Sequence, residues 1–325
     1  MNLRSSWVLL LPLALVGCIT IPEMGRLVTP EQCDVALSAR QPQDFPAGSI
    51  VLQLTGQEAT DLAAANKIEQ AGWIVDYWIE IARCPELADA HPEWMASLQG
   101  HDEWRRHFAA APAAAEGELV KNYPWVPIAY AESFAAQLGR VRRMLAHLPA
   151  PRRIFLNDLQ GAPSACGCGN VHCRWTTDYG PAHTATPLGP DAAARFVVEV
   201  QKLAPQSQII PVWTTECAQA DPACAGVACY GGKCWQAWTE QLMPLERVAP
   251  LIAVLLQQDD LATPDLTSFD TEPPRHGGHS IARARLIPVL IGGQDPNFVL
   301  EPSGVIFGSV VQSWEPRLVR IAHDH

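Results

Sequence analysis

Residues 128–158 read IAYAESFAAQLGRVRRMLAHLPAPRRIFLND, and this stretch decides the fold. Phe134, Leu138, Val141, Leu145 and Leu148 recur at three- and four-residue steps, so they share one face of a helix spanning Ile128 to Leu148. Pro149 and Pro151 stop that helix. Arg153 to Leu156 then reads as a short apolar strand. A helix handed through a tight turn to a non-alternating strand is the repeat of a parallel α/β sheet covered on both faces.

The same alternation runs outward in both directions. Ile50 to Leu54 reads as a buried strand. Thr55-Gly-Gln-Glu58 is a capping box that opens a helix to Ala71, which Gly72 ends. Trp73 to Ile79 is a second strand, and Pro85 to Leu98 is helical. Pro190 occupies a first helical position, with Phe196, Val197, Val200 and Leu203 facing inward and Pro205 as the stop. Gln208 to Trp213 follows as a strand and Cys234 to Val248 as a helix, with Pro244 as a point for a kink. Leu251 to Leu256, Leu286 to Ile291 and Val305 to Val311 complete seven strands. Tyr123 to Val126 supplies an eighth, and eight would close a barrel. The expected fold class is therefore α/β, a (β/α)8 TIM-like barrel. Only about a dozen residues separate its last two strands, so the final βα unit is eroded.

The 325-residue chain is 48% hydrophobic and 18% charged, ample for a large core and unlike a disordered chain. A net charge of -11 argues against a nucleic-acid partner. No Gly-rich phosphate loop or internal repeat is present, and no cofactor is expected. Arg4 followed by the apolar run Trp7 to Val16 has the form of a secretory signal and is too short for a membrane span. The segment Leu15-Val16-Gly17-Cys18 resembles the lipobox of bacterial lipoproteins. It implies cleavage after residue 17, lipidation of Cys18, and a place in the bacterial envelope, with Ile19 pointing to the outer membrane. Residues 18–46, punctuated by Pro22, Pro30, Pro42 and Pro46, read as a tether, and 47–325 as one barrel domain.

Of ten cysteines, the anchor leaves Cys33, Cys84, Cys166, Cys168, Cys173, Cys217, Cys224, Cys229 and Cys234. An exported chain makes disulfides the default, and an odd number leaves at least one outside a pair within the chain. If both clusters, Cys166 to Cys173 and Cys217 to Cys234, lie in loops at one end of the fold, they would staple those loops. The alternative is a metal or redox site that includes His172. The spacing lacks paired C-x2-C units, so no metal is assigned.

Barrel chemistry sits at the carboxyl ends of the strands. Reading just past each strand gives Glu80, Asp158, Glu216, the pair Asp259 and Asp260, Asp295 and Glu315. Trp78, Trp213 and Trp314 lie close to three of them, and an aromatic face beside a carboxylate suits a sugar. Two carboxyl groups flanking a glycosidic bond would hydrolyse it. Asp158 is the candidate nucleophile or base and Glu216 the candidate general acid. Glu80, Trp78, Asn157, Trp213, Asp259, Trp314 and Glu315 are the candidate substrate contacts. The alternative is that these acids cap helices or pair with Arg83, Arg174 or Arg317. His91, before Pro92, reads as a packing or helix-start residue. His276 and His279 sit in a loop that could reach the mouth. Asp76, inside the second strand, reads as meeting a helix or a partner charge.

The run from Gly72 to Glu80, then His91-Pro92-Glu93-Trp94, then the long helix and Arg153 to Asp158, resembles the first half of glycoside-hydrolase-like barrels of bacterial lipoproteins. Those barrels are related to the α-amylase type. The resemblance covers about residues 50 to 160. It implies that Asp158 is the fourth-strand acid and that Glu216 falls on the fifth strand, where α-amylase-type enzymes carry their general acid. The strand lacks the family's histidine, and the Cys-Gly-Cys-Gly loop after it has no counterpart there. The expected function is a lipid-anchored envelope glycoside hydrolase or glycosidase-like protein acting on a poly- or oligosaccharide. The alternatives are a non-catalytic glycan- or protein-binding lipoprotein, or a metal or redox protein built on the cysteine clusters.

Overall fold

The computed structural model describes residues 24–39, 48–96, 118–159, 188, 191–214, 229–230, 233–234, 245–257, 286–291, 305–308 and 317–322. The chain is mixed α/β. In chain order its strands are β1 (Met24–Val28), β2 (Ser49–Gln53), β3 (Ile74–Glu80), β4 (Glu118–Tyr123), β5 (Arg153–Asn157), β6 (Gln208–Thr214), β7 (Cys229–Tyr230), β8 (Lys233–Cys234), β9 (Ile252–Gln257), β10 (Leu286–Ile291), β11 (Val305–Gly308) and β12 (Arg317–Ala322). The helices are α1 (Cys33–Ala39), α2 (Glu58–Gln70), α3 (Pro85–Ala90), α4 (Ala131–Ala146) and α5 (Ala192–Leu203). Eight strands close a ring in the order β1-β11-β10-β9-β6-β5-β3-β2, and every neighbouring pair in it is parallel.

Apolar residues on both faces of these strands bury two layers. Leu27, Val51, Trp78, Phe155, Ile210, Val212, Ala253, Ile287 and Val289 fill the inside of the ring. Trp78 and Phe155 stack there with centroids 6.1 Å apart. The alternate residues, among them Leu52, Tyr77, Ile79, Ile154, Leu156 and Ile209, pack outward against Ala65 and Ile68 of α2, Val141 of α4 and Phe196 and Val200 of α5. Phe134 meets Phe196 edge to face at 5.1 Å, joining α4 to α5. The continuous apolar strands seen in the sequence follow from this two-sided burial.

The floor of the ring, at the amino ends of the strands, is ionic. Asp76 is fully buried and accepts from Arg153 Nη2 at 2.8 Å and from Arg152 Nη2 at 3.1 Å. The expectation of a partner charge for Asp76 is met by two arginines from the β5 entrance.

Five expectations are corrected. The eighth ring strand is β1, inside the stretch expected to be a tether, because Met24 and Gly25 pair with Val305 and Ile306 on one side and Gly25 with Ser49 on the other. The expected strand at Tyr123 to Val126 is instead β4, which pairs antiparallel with β12 outside the ring. The helix from Pro85 breaks at His91, because Pro92 cannot continue it and starts a separate 3-10 turn, Pro92–Trp94. Cys234 belongs to β8, so the helix expected from that residue does not begin there. The capping box at Thr55 also takes another form. The Asp61 carboxylate accepts from the backbone N–H groups of Thr55 and Gly56 and from Thr55 Oγ1. Burial pushes the Asp61 carboxyl up despite those donors.

Candidate functional site

The mouth of the ring lies at the carboxyl ends of β3 and β5, where Glu80 and Asn157 face each other in register. Strand periodicity of two puts Trp78 and Glu80 on the same, inward face. Trp78 Nε1 donates to Glu80 Oε1 at 2.8 Å, and Asn157 Nδ2 donates to Glu80 Oε2 at 2.9 Å. Both carboxylate oxygens are thus held by neutral N–H donors. Glu80 is half-buried and makes no ion pair among the described residues.

Asp158 has the opposite surroundings. It sits one residue past β5 in the left-handed backbone region, with φ 57, and is 1% exposed. It forms an ion pair with Arg83, whose Nη2 lies 3.4 Å from Asp158 Oδ1. The Arg83 guanidinium lies over the Trp125 ring, 4.6 Å from its centroid. A carboxylate buried against a guanidinium has no open face for a substrate, so Asp158 does not have the geometry of the expected nucleophile or base. It takes the alternative role the sequence offered, pairing with Arg83.

A polar seam along α4 braces this rim. Ser133, Gln137 and Arg140 are buried at helical spacing beside the apolar stripe. Ser133 Oγ donates to the Pro127 carbonyl at 2.5 Å and Gln137 Nε2 to the Val126 carbonyl at 3.4 Å. Arg140 donates through Nε to Gln137 Oε1 at 3.0 Å, and through Nη2 to the carbonyls of Glu80 and Ile81. Close by, the fully buried Lys121 of β4 donates through Nζ to the carbonyls of Glu93 and Met95, each at 2.9 Å. The sequence reading missed the seam. Its signal was available in the spacing of Ser133, Gln137 and Arg140, polar side chains at i, i+4 and i+7 on a helix whose neighbouring stripe is core.

The remaining candidates divide. Asn157 is buried at the rim and orients Glu80. Trp78 is fully buried beneath it, so the ring that was expected to stack on a substrate instead packs on Phe155. His91 stacks on Trp94 at 3.7 Å and faces Glu93, the packing role expected of it. Trp213 lies in β6. Glu216, Asp259, Asp260, Asp295, Trp314, Glu315, Cys18, His172, His276 and His279 lie outside the described residues.

Cys33 and Cys84, each a disulfide candidate in the sequence, are buried free thiols. Cys33 Sγ faces the Thr29 carbonyl within the outer core, while Cys84 sits in a separate cluster with Leu87, Met95 and Tyr123. Burial pushes the Cys33 thiol up to about 11. Cys229 and Cys234 are register partners across the β7–β8 ribbon. Cys166, Cys168, Cys173, Cys217 and Cys224 lie outside the described residues. Among the described residues, no group of three His, Cys, Asp or Glu could hold a metal ion, and no helix is long and apolar enough to cross a membrane.

No family model matches the chain, and no curated protein matches it. Among solved structures it is similar to a GH18 chitinase from Pseudoalteromonas aurantia, with 11% identity and a TM-score of 0.42 over 89% of this chain and 93% of that one.

Proposed function

We propose that the protein is a lipid-anchored envelope protein with a glycosidase-like (β/α)8 barrel, acting on a poly- or oligosaccharide at the mouth. Glu80 is its working carboxylate and Glu216, just past β6, its second. The observation that carries this reading is the setting of Glu80. It is half-buried at a strand end, oriented by Trp78 and Asn157, and free of any cation among the described residues. Strand-end carboxylates are where barrels of this kind do acid–base work. The anchor on Cys18 and the outer-membrane location rest on the lipobox-like segment.

The test is hydrolysis of a panel of nitrophenyl glycosides and envelope polysaccharides by the purified protein. Glu80→Gln is expected to lower turnover by about a hundredfold or more, the span general acid–base groups supply, with a modest fall in Tm because the amide oxygen can accept from only one of the two donors, Trp78 Nε1 or Asn157 Nδ2. Undiminished turnover in Glu80→Gln would sink the reading.

One observation favours a non-catalytic glycan-binding reading instead: the pairing of Asp158 with Arg83 withdraws one of the two expected acids. That reading predicts glycan binding by calorimetry with no cleavage by wild type.

A further inference from the structure

We propose that Arg140 is a positioning residue of the barrel mouth, fixing through two backbone carbonyls the direction in which the Glu80 carboxylate leaves β3. The inference rests on the reading of Glu80 as the working carboxylate. Arg140 is 7% exposed, and no carboxylate pairs with it among the described residues. A buried cation without a counter-ion is costly, so its donors must satisfy a demand of the fold. Those donors go to Gln137 Oε1 and to the carbonyls of Glu80 and Ile81. These carbonyls lie where β3 runs out: the last register pair is Glu80 with Asn157, and beyond it Ile81 N donates to the Asn157 carbonyl at 3.0 Å.

Glu80 is thereby gripped at both ends. Its carbonyl is held from behind by α4, and its carboxylate is held in front by Trp78 and Asn157. Turning the Glu80 peptide swings its Cα–Cβ bond, and the carboxylate can no longer meet both donors at good geometry. Gln137 locks the guanidinium in turn and ties it to the Val126 carbonyl on the mouth wall. The seam sets the rim as a unit and never contacts a substrate.

The indole N–H of Trp78 reads this directly, because it donates to Glu80 Oε1. The experiment uses the full-length protein with 15N-labelled tryptophan, the Trp78 resonance being assigned by Trp78→Phe. In Arg140→Met the Trp78 indole proton is expected to lose its hydrogen-bonded downfield shift. It should also exchange with water about tenfold faster, the change that loss of one hydrogen bond to a charged group brings. Arg140→Lys keeps a cationic donor for the carbonyls and should recover most of the wild-type signature. A folded Arg140→Met with a lowered Tm but an unchanged Trp78 resonance and exchange rate overturns the proposal. Should Arg140→Met fail to fold, Gln137→Leu removes the acceptor that locks the guanidinium. It should move the Trp78 signal in the same direction by a smaller amount, and no movement there overturns the proposal equally. The readout needs no substrate, so a protein that cleaves no glycoside refutes the catalytic reading of Glu80 and leaves this result standing.

Discussion

Arg83 and Asp158 form a buried ion pair, Arg83 from the segment after β3 and Asp158 from the first residue past β5, across the rim from which Glu80 extends. Two strand-end acids thus receive different treatments: Asp158 is neutralised by a guanidinium, while Glu80 is held by an indole and an amide. The difference separates a carboxylate paired with a cation from one held only by neutral donors among the described residues.

Replacing Asp158 with Asn removes one partner of a pair whose side chains are 5% and 1% exposed. Breaking this buried pair should cost about 3–5 kcal/mol in urea unfolding. Arg83→Met combined with Asp158→Asn should recover part of that loss, since the cation that Asp158 faced is then removed as well. A change in Asp158→Asn stability under about 1 kcal/mol would contradict the structural role.

Asp76→Asn at the barrel floor should be comparably damaging, by about 3–5 kcal/mol, because Arg153 and Arg152 both lose their carboxylate. Calorimetry would show a lowered Tm, while the Trp78 indole signal at the far end of the ring should stay in place.

The thiols should fall into separate classes. Cys33 and Cys84, both buried, should react with an alkylating reagent only after unfolding. The folded Cys33 thiol lies near 11 against an ordinary 9.0, so the folded state keeps a proton that the unfolded chain releases. This contribution to stability is therefore intact below about pH 9 and declines as the pH climbs from there through 11. Cys33→Ala should flatten that alkaline decline. Cys229 and Cys234 oppose each other in an antiparallel pair, a Cα spacing within the range a disulfide bridges, and peptide mapping without reductant is expected to recover them linked.

Deleting the chain from Arg317 onward removes β12, the partner of all six residues of β4. The ring does not include β12, so it should persist. Amide exchange over Val120 to Val126 should accelerate at least about tenfold, because β4 and the seat of Lys121 lose their pairing. Unchanged protection there would show that the wall stands without the ribbon.

Sequence legibility tracked how local each cause is. β10 and β5 stood out because their apolar runs are continuous, and α4 because Phe134, Leu138 and Val141 repeat at helical steps. β1 was hidden: five residues with Gly25 and Arg26 between prolines carry little pattern, and the strand is made by partners as distant as Val305. β4 was displaced for a similar reason, since its partner is the far carboxyl-terminal strand. The position of Asp158 at a strand end could be read, but its fate depends on Arg83, 75 residues away. Glu80 was legible as a strand-end acid, whereas Arg140 was overlooked because the apolar stripe drew the reading of its helix.

The entry of β1 into the ring would also set a leash on the proposed anchor. Met24 opens that strand six residues after Cys18, and six residues of chain reach about 20 Å at full stretch. All eight ring strands are parallel, so their amino ends gather at the Asp76–Arg153 floor. A lipid on Cys18 would seat that floor beside the bilayer and turn Glu80 toward the aqueous side. The anchored protein would then be an outward-looking cup, meeting polymers that drift in from solution and turning its back on the surface that holds it.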